Sequence, residues 1–310
     1  MFMLTFWIPS YAQLPESPMR IIWPYAPGGG GDVLVRLVAD QLRADLDRPV
    51  VVENRAGADG RIGVQTAKAA APDGTTLLAA PIAPMAIFQH VHRSLGYDPL
   101  RDFQAVTQLA TFDFAIGVGP HVPAKSLREY VAWVKADPSR GNYAVPGAGT
   151  LPHFFAALFG KMNDLQLTYV AYKGMPEAMA DLLGGHVPAV FTSTNQLVPM
   201  HKAGRIRILA TSDTQRSSFL PDVPTFREES YSIQGTGWFG IFAPVGTPME
   251  AVERLNQLIV AALRRPEVKE RIFALGLQPA GTSVAKFTAI QRADAELWAP
   301  AVQASGFTVE

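Results

Sequence analysis

The 310-residue sequence contains no cysteine and no excess of charge of either sign. Without cysteine the chain has no disulfide framework, no thiolate zinc site, no iron–sulfur cluster and no cysteine nucleophile. Lysine and arginine together number 27, and aspartate and glutamate also number 27. Because a protein that binds nucleic-acid phosphates normally shows a basic excess, we expect no nucleic-acid partner.

Long apolar runs and familiar catalytic motifs are missing as well. Beyond the N-terminus nothing approaches the ~20 apolar residues that a membrane-spanning helix needs, so we expect no direct membrane insertion. The sequence has no G-x-S-x-G motif and no H-E-x-x-H motif. We therefore predict that the chain has no catalytic residues, no metal site and no cofactor.

The residues that are present predict a packed chain in which strands and helices alternate. Hydrophobic residues make up 48% and charged residues 17%, and 310 residues suffice for two domains. A β-branched and aromatic run at 19–25 predicts a strand, and apolar residues at helical spacing follow up to Leu46. The pattern restarts over 115–210, and after Pro244 it is helical to the end. Such alternation predicts parallel sheets covered by helices.

The N-terminus is typical of a processing segment. Residues 1–9 are apolar, and Ser10-Tyr11-Ala12 places small residues at the two positions that a signal peptidase reads. The segment lacks a basic beginning, but it still indicates the end of an export signal. We expect residues 1–17 to be a signal-peptide remnant and leader, and the mature protein to lie in the periplasm of a Gram-negative bacterium.

Two loops of the chain repeat one design. In each, a strand ends at a proline, a loop begins with Pro-Gly (Pro27-Gly28 and Pro146-Gly147) and a helix follows, with about 120 residues between the two. A helix start leaves its first N–H groups unpaired and carries partial positive charge, and glycine lets a ligand approach the backbone. Two such loops would close on one anionic ligand beyond the carboxyl ends of the strands.

Other interpretations of these loops stay open to different degrees. No lysine follows the glycine run, which argues against a P-loop. The dinucleotide fingerprint would need Gly or Ala where Val33 or Leu34 stands, and Glu53 is a weak candidate for its ribose carboxylate. A tight connection with Asp32 as an ordinary N-cap remains possible. So does a local role for His153 as a first-turn residue that bonds nearby backbone.

Six sequence blocks together resemble a known family. They are RIIWPYAPGGGGDVLVR (20–36), PVVVENRAGADGRIG (49–63), APDGTTLL (71–78), VAYKGMPEAMADLLGG (170–185), LPDVPT (220–225) and WFGIFAPVGTP (238–248). They are similar to the extracytoplasmic solute receptors of the tripartite tricarboxylate transporter family, also called the Bordetella uptake gene (Bug) receptors. The resemblance runs in order from Pro18 to Phe307.

The resemblance implies an α/β fold: a two-domain periplasmic binding protein of the Venus-flytrap type. Each domain would contain a mixed, mostly parallel sheet flanked by helices. Domain 1 would comprise residues 18–118 and 238–310, and domain 2, residues 119–237, would be inserted into it. The chain would cross the hinge near 115–120 and 235–240, with the ligand cleft between the domains and the C-terminal helices packed on domain 1.

In that family the two loops hold carboxylates largely through backbone groups and water. The implied ligand-binding residues of the first loop are Tyr25, Pro27, Gly28, Gly29, Gly30, Gly31 and Asp32, and those of the second loop are Gly147, Ala148, Gly149, Thr150 and His153. Ala83 is implied as well, as are Tyr172, Lys173, Thr192 and Ser193 on the second domain's side. Thr192, Ser193 and Asn195 stand at the end of one strand, where uncharged donors could reach a ligand. Relatives commonly have threonine where Gly31 stands, so a hydroxyl donor is lost there, whereas Thr150 keeps one. Tyr25, Phe112, Phe114 and Trp238 would lie near the cleft or hinge, although such residues are more often core.

The sequence therefore predicts a non-enzymatic receptor. It would capture a small organic carboxylate, with one or two carboxyl groups and an aliphatic or aromatic body, by domain closure. It would deliver this ligand, as a monomer, to the membrane permease subunits of a tripartite tricarboxylate-type transporter. An orphan receptor that presents its ligand to a sensor kinase is one alternative. An enzyme acting on a phosphorylated or nucleotide substrate is another, for which only Asp32 and His153 offer a titratable pair at the loops.

Overall fold

A computed structural model describes residues 15–172, 175–305 and 307–309 of the chain. The predicted export signal and Lys173 lie outside these described residues. The strands are β1 (Met19–Trp23), β2 (Val50–Asn54), β3 (Thr76–Pro81), β4 (Phe103–Val118), β5 (Asn142–Val145), β6 (Thr168–Ala171), β7 (Ala189–Ser193), β8 (Arg207–Thr211), β9 (Thr236–Pro244) and β10 (Gln278–Pro279). The helices are α1 (Gly30–Leu46), α2 (Arg61–Lys68), α3 (Phe88–Val91), α4 (Leu127–Ala136), α5 (Leu151–Met162), α6 (Met175–Gly184), α7 (Thr194–Lys202), α8 (Met249–Arg264), α9 (Pro266–Ala274) and α10 (Val284–Ser305).

The first sheet has the strand order β2-β1-β3-β9-β4, and β10 pairs with the outer side of β4. Strand β1 lies parallel to both β2 and β3, whereas β9 lies antiparallel to β3 and β4. Met19 and Ile21 of β1 pack with helices α1 and α8, and Ile22 packs into the other core cluster. Strand β1 is thus buried on both faces, which explains its continuous apolar run.

The second sheet has the order β8-β4-β7-β5-β6. Strand β5 lies parallel to β6 and β7, and β4 lies antiparallel to β7 and β8. Both sheets are mixed, as predicted, but they are less parallel than predicted. The antiparallel pairs come from β4 and β9, the strands that carry the chain between the two sheets.

Strand β4 belongs to both sheets. Residues 103–113 pair with β9 in the first sheet, and residues 114–118 pair with β7 and β8 in the second. The chain returns where β9 begins at Thr236, opposite Asp113. The change of sheet at residue 113 lies a few residues before the predicted domain boundary at 118. The domain limits themselves stay a prediction.

Ser212 forms hydrogen bonds to both places where the chain crosses between the two sheets. Its hydroxyl accepts a hydrogen bond from the Phe114 N–H (2.9 Å) and donates one to the Gly235 carbonyl (2.7 Å). The Gly235 N–H in turn donates to the Ser212 carbonyl at 3.0 Å. Since Phe114 and Gly235 stand at the outgoing and returning crossings, this one side chain fixes their spacing.

We call the first sheet with its helices and the second sheet with its helices the two units of the fold, and helix α10 contacts both. Near its start, Phe287 packs edge-on against Trp238 of β9, and the Trp238 indole N–H donates to Asp294 at 2.7 Å. Near its end, Trp298 packs edge-on against Phe155 of α5. The C-terminal helix therefore packs on the first sheet, as expected, and also reaches the helix that follows the second loop.

Candidate ligand-binding site

The first loop connects β1 to α1 and presents bare backbone. Gly29 is the N-cap of α1, and Gly30, Gly31 and Asp32 are its first helical residues. A helix start leaves these first N–H groups without intrahelical partners. Nothing lies within 4 Å of the position of a Cβ atom on Gly28 or Gly29, so the loop faces open space there. The φ of +95° at Gly28 is one that glycine adopts readily.

The buried side chain of Asp32 holds the first loop in place through hydrogen bonds. Its carboxylate, only 2% exposed, accepts hydrogen bonds from the Gly28 N–H (3.0 Å), from Arg36 (3.0 and 3.2 Å) and from the Asn54 amide (2.9 Å). Burial disfavours the charged carboxylate, but these bonds and the Arg36 charge outweigh it and lower the pKa of Asp32. The carboxylate is thus ionised and fully engaged in holding the loop.

Asn54 was not among the residues predicted from the sequence. Its amide donates to the Tyr25 carbonyl (3.1 Å) as well as to Asp32, and its oxygen accepts from Arg36 at 2.6 Å. It stands at the carboxyl end of β2, next to the end of β1. The parallel pairing of these strands was the signal that could have identified it, since their carboxyl ends meet at one sheet edge.

Gly31 stands where the family resemblance implies threonine, and packing explains the glycine. A Cβ atom there would lie 2.6 Å from Cζ2 of Trp23 and 2.9 Å from Cε1 of Phe239. Neither distance is compatible with a side chain unless the rings move. The edges of two aromatic rings therefore occupy the space that a first-turn side chain would fill.

The second loop connects β5 to α5. Thr150 is the N-cap of α5, and its hydroxyl donates to the Gly147 carbonyl at 2.7 Å. Gly149 adopts a φ of +73°, and Pro152 stands in the first turn. The Thr150 hydrogen is thus used within the loop, whereas Ala148 at the loop tip is exposed.

His153 lies under the second loop rather than facing out of it. It is 5% exposed, and its Nδ1 accepts a hydrogen bond from the Gly149 N–H at 3.2 Å. Its ring contacts those of Tyr169 and Phe307 at centroid distances of 4.5 and 5.2 Å. Burial lowers the pKa of His153, which favours a neutral ring. These contacts give His153 the local role that the sequence had left open.

Four further residues predicted to bind the ligand differ in how exposed their side chains are. The Tyr172 hydroxyl donates to Asp181 at 2.7 Å, and burial and this carboxylate raise the pKa of Tyr172 to about 12. Thr192 is fully buried within β7, whereas Ser193 is partly exposed and is the N-cap of α7. Ala83, partly exposed, begins the helical segment 83–91 that the sequence analysis missed.

Each loop contacts the opposite unit of the fold. Gly30 of the first loop faces the side chain of Asn195, which lies in the first turn of α7. Gly149 of the second loop packs against Val91 of α3. Each helix start therefore contacts the unit of the fold to which it does not belong. Asn195, expected with Thr192 and Ser193 to offer an uncharged donor to a ligand, is thus placed beside the first loop.

Asp113 lies where β4 passes from one sheet to the other and is 9% exposed. Burial, with a smaller effect from the charge of Asp213, raises the pKa of Asp113 to about 6, against the opposing effect of the Thr194 hydroxyl. The crossing thus contains a carboxyl group that loses its proton only as the pH approaches neutrality.

Comparisons with known proteins define the class of this molecule. A solved structure described as the periplasmic binding protein BugD is 28% identical, has a TM-score of 0.82 and covers 96% of this chain and 100% of its own. Rpa4515 of Rhodopseudomonas palustris, solved with adipate, is 28% identical with a TM-score of 0.85 and covers 94% of this chain and 98% of its own. MatC of the same organism, solved with bound malate, is 27% identical with a TM-score of 0.80 and covers 92% of this chain and 98% of its own. The predicted periplasmic binding protein fold is confirmed.

Sequence comparison then gives the family. The model of the tripartite tricarboxylate transporter family receptor matches residues 34–307. BugT of Bordetella pertussis is 33% identical over 294 residues, which are 94% of this chain and 90% of BugT. The chain belongs to the tripartite tricarboxylate transporter receptor family, as its sequence blocks had indicated.

Proposed function

We propose that this protein is a periplasmic receptor that captures a small organic carboxylate between its two glycine-rich loops. The observation that carries the proposal is that two helix starts, one in each unit, both contact the opposite unit, through Gly30 and Gly149. Gly28 and Gly29 leave the first of them open to a ligand. Backbone N–H groups and the partial positive charge of a helix start suit a carboxylate group without any need for a free arginine.

The proposed ligand class agrees with what the solved relatives contain. Malate and adipate, in MatC and Rpa4515, are both small carboxylates. The balanced net charge of this chain does not oppose an anionic ligand, because the positive potential at the loops is local.

Capture would occur by domain closure. A ligand that contacts both loops does so only in the closed form, so it stabilises that form by its differential affinity. Strands β4 and β9, which link the two sheets, would act as the hinge.

Delivery to the membrane permease subunits of a tripartite transporter is the role that family membership supports. Within the described residues no helix has both the length and the apolar character to cross a membrane. We propose that the receptor works as a monomer in the periplasm and meets the permease transiently. Presentation of the ligand to a sensor kinase is the alternative, and the identity of the neighbouring genes would distinguish the two.

No enzymatic step is proposed at the loops. Of the two titratable groups that stand there, Asp32 is engaged with Gly28, Arg36 and Asn54, and His153 is enclosed by rings. An enzyme of phosphorylated substrates would need such a pair to face the ligand.

A thermal-shift screen tests the proposal. Mono- and dicarboxylates, both aliphatic and aromatic, are compared with nucleotides and sugars at equal concentrations. At least one carboxylate should raise the melting temperature, because a ligand that binds only the folded state stabilises it. If only nucleotides or sugars raise it, the receptor assignment is wrong.

A further inference from the structure

The first loop packs against a group of aromatic side chains. We call this group the ring wall, and it consists of Trp23, Tyr25, Phe239 and Phe112. The ring centroids of Trp23 lie 5.5 Å from Tyr25 and 5.9 Å from Phe239, and those of Phe239 and Phe112 are 5.0 Å apart. These are distances at which aromatic rings attract one another. Trp23 is 5% exposed, whereas the other three rings are partly exposed.

The aromatic contacts continue from the ring wall toward the second loop. Phe112 contacts Phe114 at 5.5 Å, and Phe114 contacts Phe155 at 5.2 Å. Phe155 belongs to α5, the helix that begins at the second loop. A series of ring contacts on β9, β4 and α5 therefore extends from the first loop to the helix that begins at the second loop, with Phe114 and Phe155 buried.

The fit at Gly31 brings the ring wall directly to the helix start. The first helical turn of α1 contributes no side chain at this position, and the edges of Trp23 and Phe239 occupy the space instead. Gly31 is buried, so the two rings cover the first turn from the core side. The partly exposed ring of Phe239 thus lies next to the helix start.

The polar side chains of the first loop are not free to bind a second charged group of the ligand. The Arg36 guanidinium is held by Asp32 and Asn54, and the Asn54 amide is shared between Asp32 and the Tyr25 carbonyl. Both residues fix the loop, so neither is free to bind a second charged group of a ligand.

We infer that the ligand of this receptor is a carboxylate whose body is a planar aromatic ring. Its carboxylate group lies at the helix starts and its ring packs on the exposed edges of the ring wall. This inference rests on the proposed function, because it assigns the substrate class of the same two-loop site.

The test is titration calorimetry with matched pairs of ligands. Benzoate is compared with cyclohexanecarboxylate, and phenylacetate with cyclohexylacetate, because each pair differs only in the planarity and π-electrons of the ring. At least one aromatic member should bind about two- to tenfold more tightly than its saturated partner. Adipate serves as the probe for the carboxylate site without a ring.

Variants of Tyr25 test whether the ring wall causes the tighter binding of the aromatic ligand. Tyr25→Leu removes a ring and should lower the affinity for the aromatic ligand, whereas Tyr25→Phe keeps the ring and should bind it nearly as well as the unmodified protein. Phe273→Leu is the control, since Phe273 is exposed and pairs with Phe219, outside the ring wall.

The outcomes separate the inference from the proposed function. If adipate binds while no aromatic ligand exceeds its saturated partner, the inference is wrong and the receptor function stands. The inference is equally wrong if Tyr25→Leu binds the aromatic ligand as tightly as the unmodified protein does. If no carboxylate of any kind binds, the proposed function is wrong as well.

Discussion

At the scale of single residues, Asp32 is the side chain on which the first loop depends. Asp32→Asn replaces the carboxylate that accepts from Gly28, Arg36 and Asn54, and the amide cannot satisfy all three donors. We expect a loss of about 1–3 kcal/mol in the free energy of unfolding at pH 7, measured by urea denaturation, and a weaker affinity for the ligand.

The pH dependence of this loss has a definite sign. Because the folded-state pKa of Asp32 is lowered, its stabilisation is present above the unfolded-state pKa and disappears as the pH falls through the folded-state value. The two proteins should therefore converge in acid. Asp40→Asn, which breaks an exposed pair with Arg43, is the control and should change stability by at most about 0.5 kcal/mol. Equal effects of the two substitutions would contradict this role of Asp32.

Asp113 should show the opposite pH dependence. Its pKa is raised to about 6, so ionisation costs stability as the pH rises from the unfolded-state value near 3.8 to about 6. Asp113→Asn should be more stable than the unmodified protein by on the order of 3 kcal/mol above this range, and this advantage should shrink toward pH 4. The exposed Asp222→Asn is the control. A difference that does not vary with pH would contradict the prediction.

At the scale of the elements, helix α1 and strands β1 and β9 fit together through Gly31. Gly31→Thr would introduce the hydroxyl that the family resemblance implies, but its Cβ would meet Trp23 and Phe239. We expect about 1–3 kcal/mol of destabilisation in urea denaturation. Trp23→Val in the same chain makes room, so the double variant should lose less than the sum of the single losses. Simple additivity would show that the two residues are not coupled.

The elements themselves were predictable where the hydrophobic pattern was strong. The apolar run of β1 and the helical spacing in α1 were both identified, as was the Pro-Gly loop between them. Strand β4 was recognised only from residue 115 onward. Its first part alternates less clearly, because Gln104, Thr107 and Gln108 interrupt the apolar positions.

The site was predictable as two loops, but the side-chain roles were not. Sequence indicates where a helix starts, whereas the bonds of Asp32 to Asn54 depend on how β1 and β2 pair. Similarly, the enclosure of His153 by Tyr169 and Phe307 is made by residues far apart in sequence. Such tertiary contacts leave no local pattern.

At the scale of the whole molecule, Ser212 links the two strand crossings and should control how freely the units move. Ser212→Ala leaves the buried Phe114 N–H without its side-chain acceptor, which should cost about 1–3 kcal/mol in unfolding free energy. By small-angle scattering we expect a larger radius of gyration without ligand and an unchanged one with saturating ligand. Ser232→Ala, at an exposed position, is the control. Unaltered scattering without ligand would show that Ser212 does not restrain the hinge.

The central claim is that two helix starts hold a carboxylate group between the units of the fold. The most direct measurement is titration calorimetry of the best ligand from the thermal-shift screen against the methyl ester of the same compound. The ester keeps the body of the ligand but removes its charge, so we predict that its affinity falls by at least about tenfold, since charged hydrogen bonds are worth roughly 1.5–3 kcal/mol. An ester that binds as tightly as the acid would contradict the account.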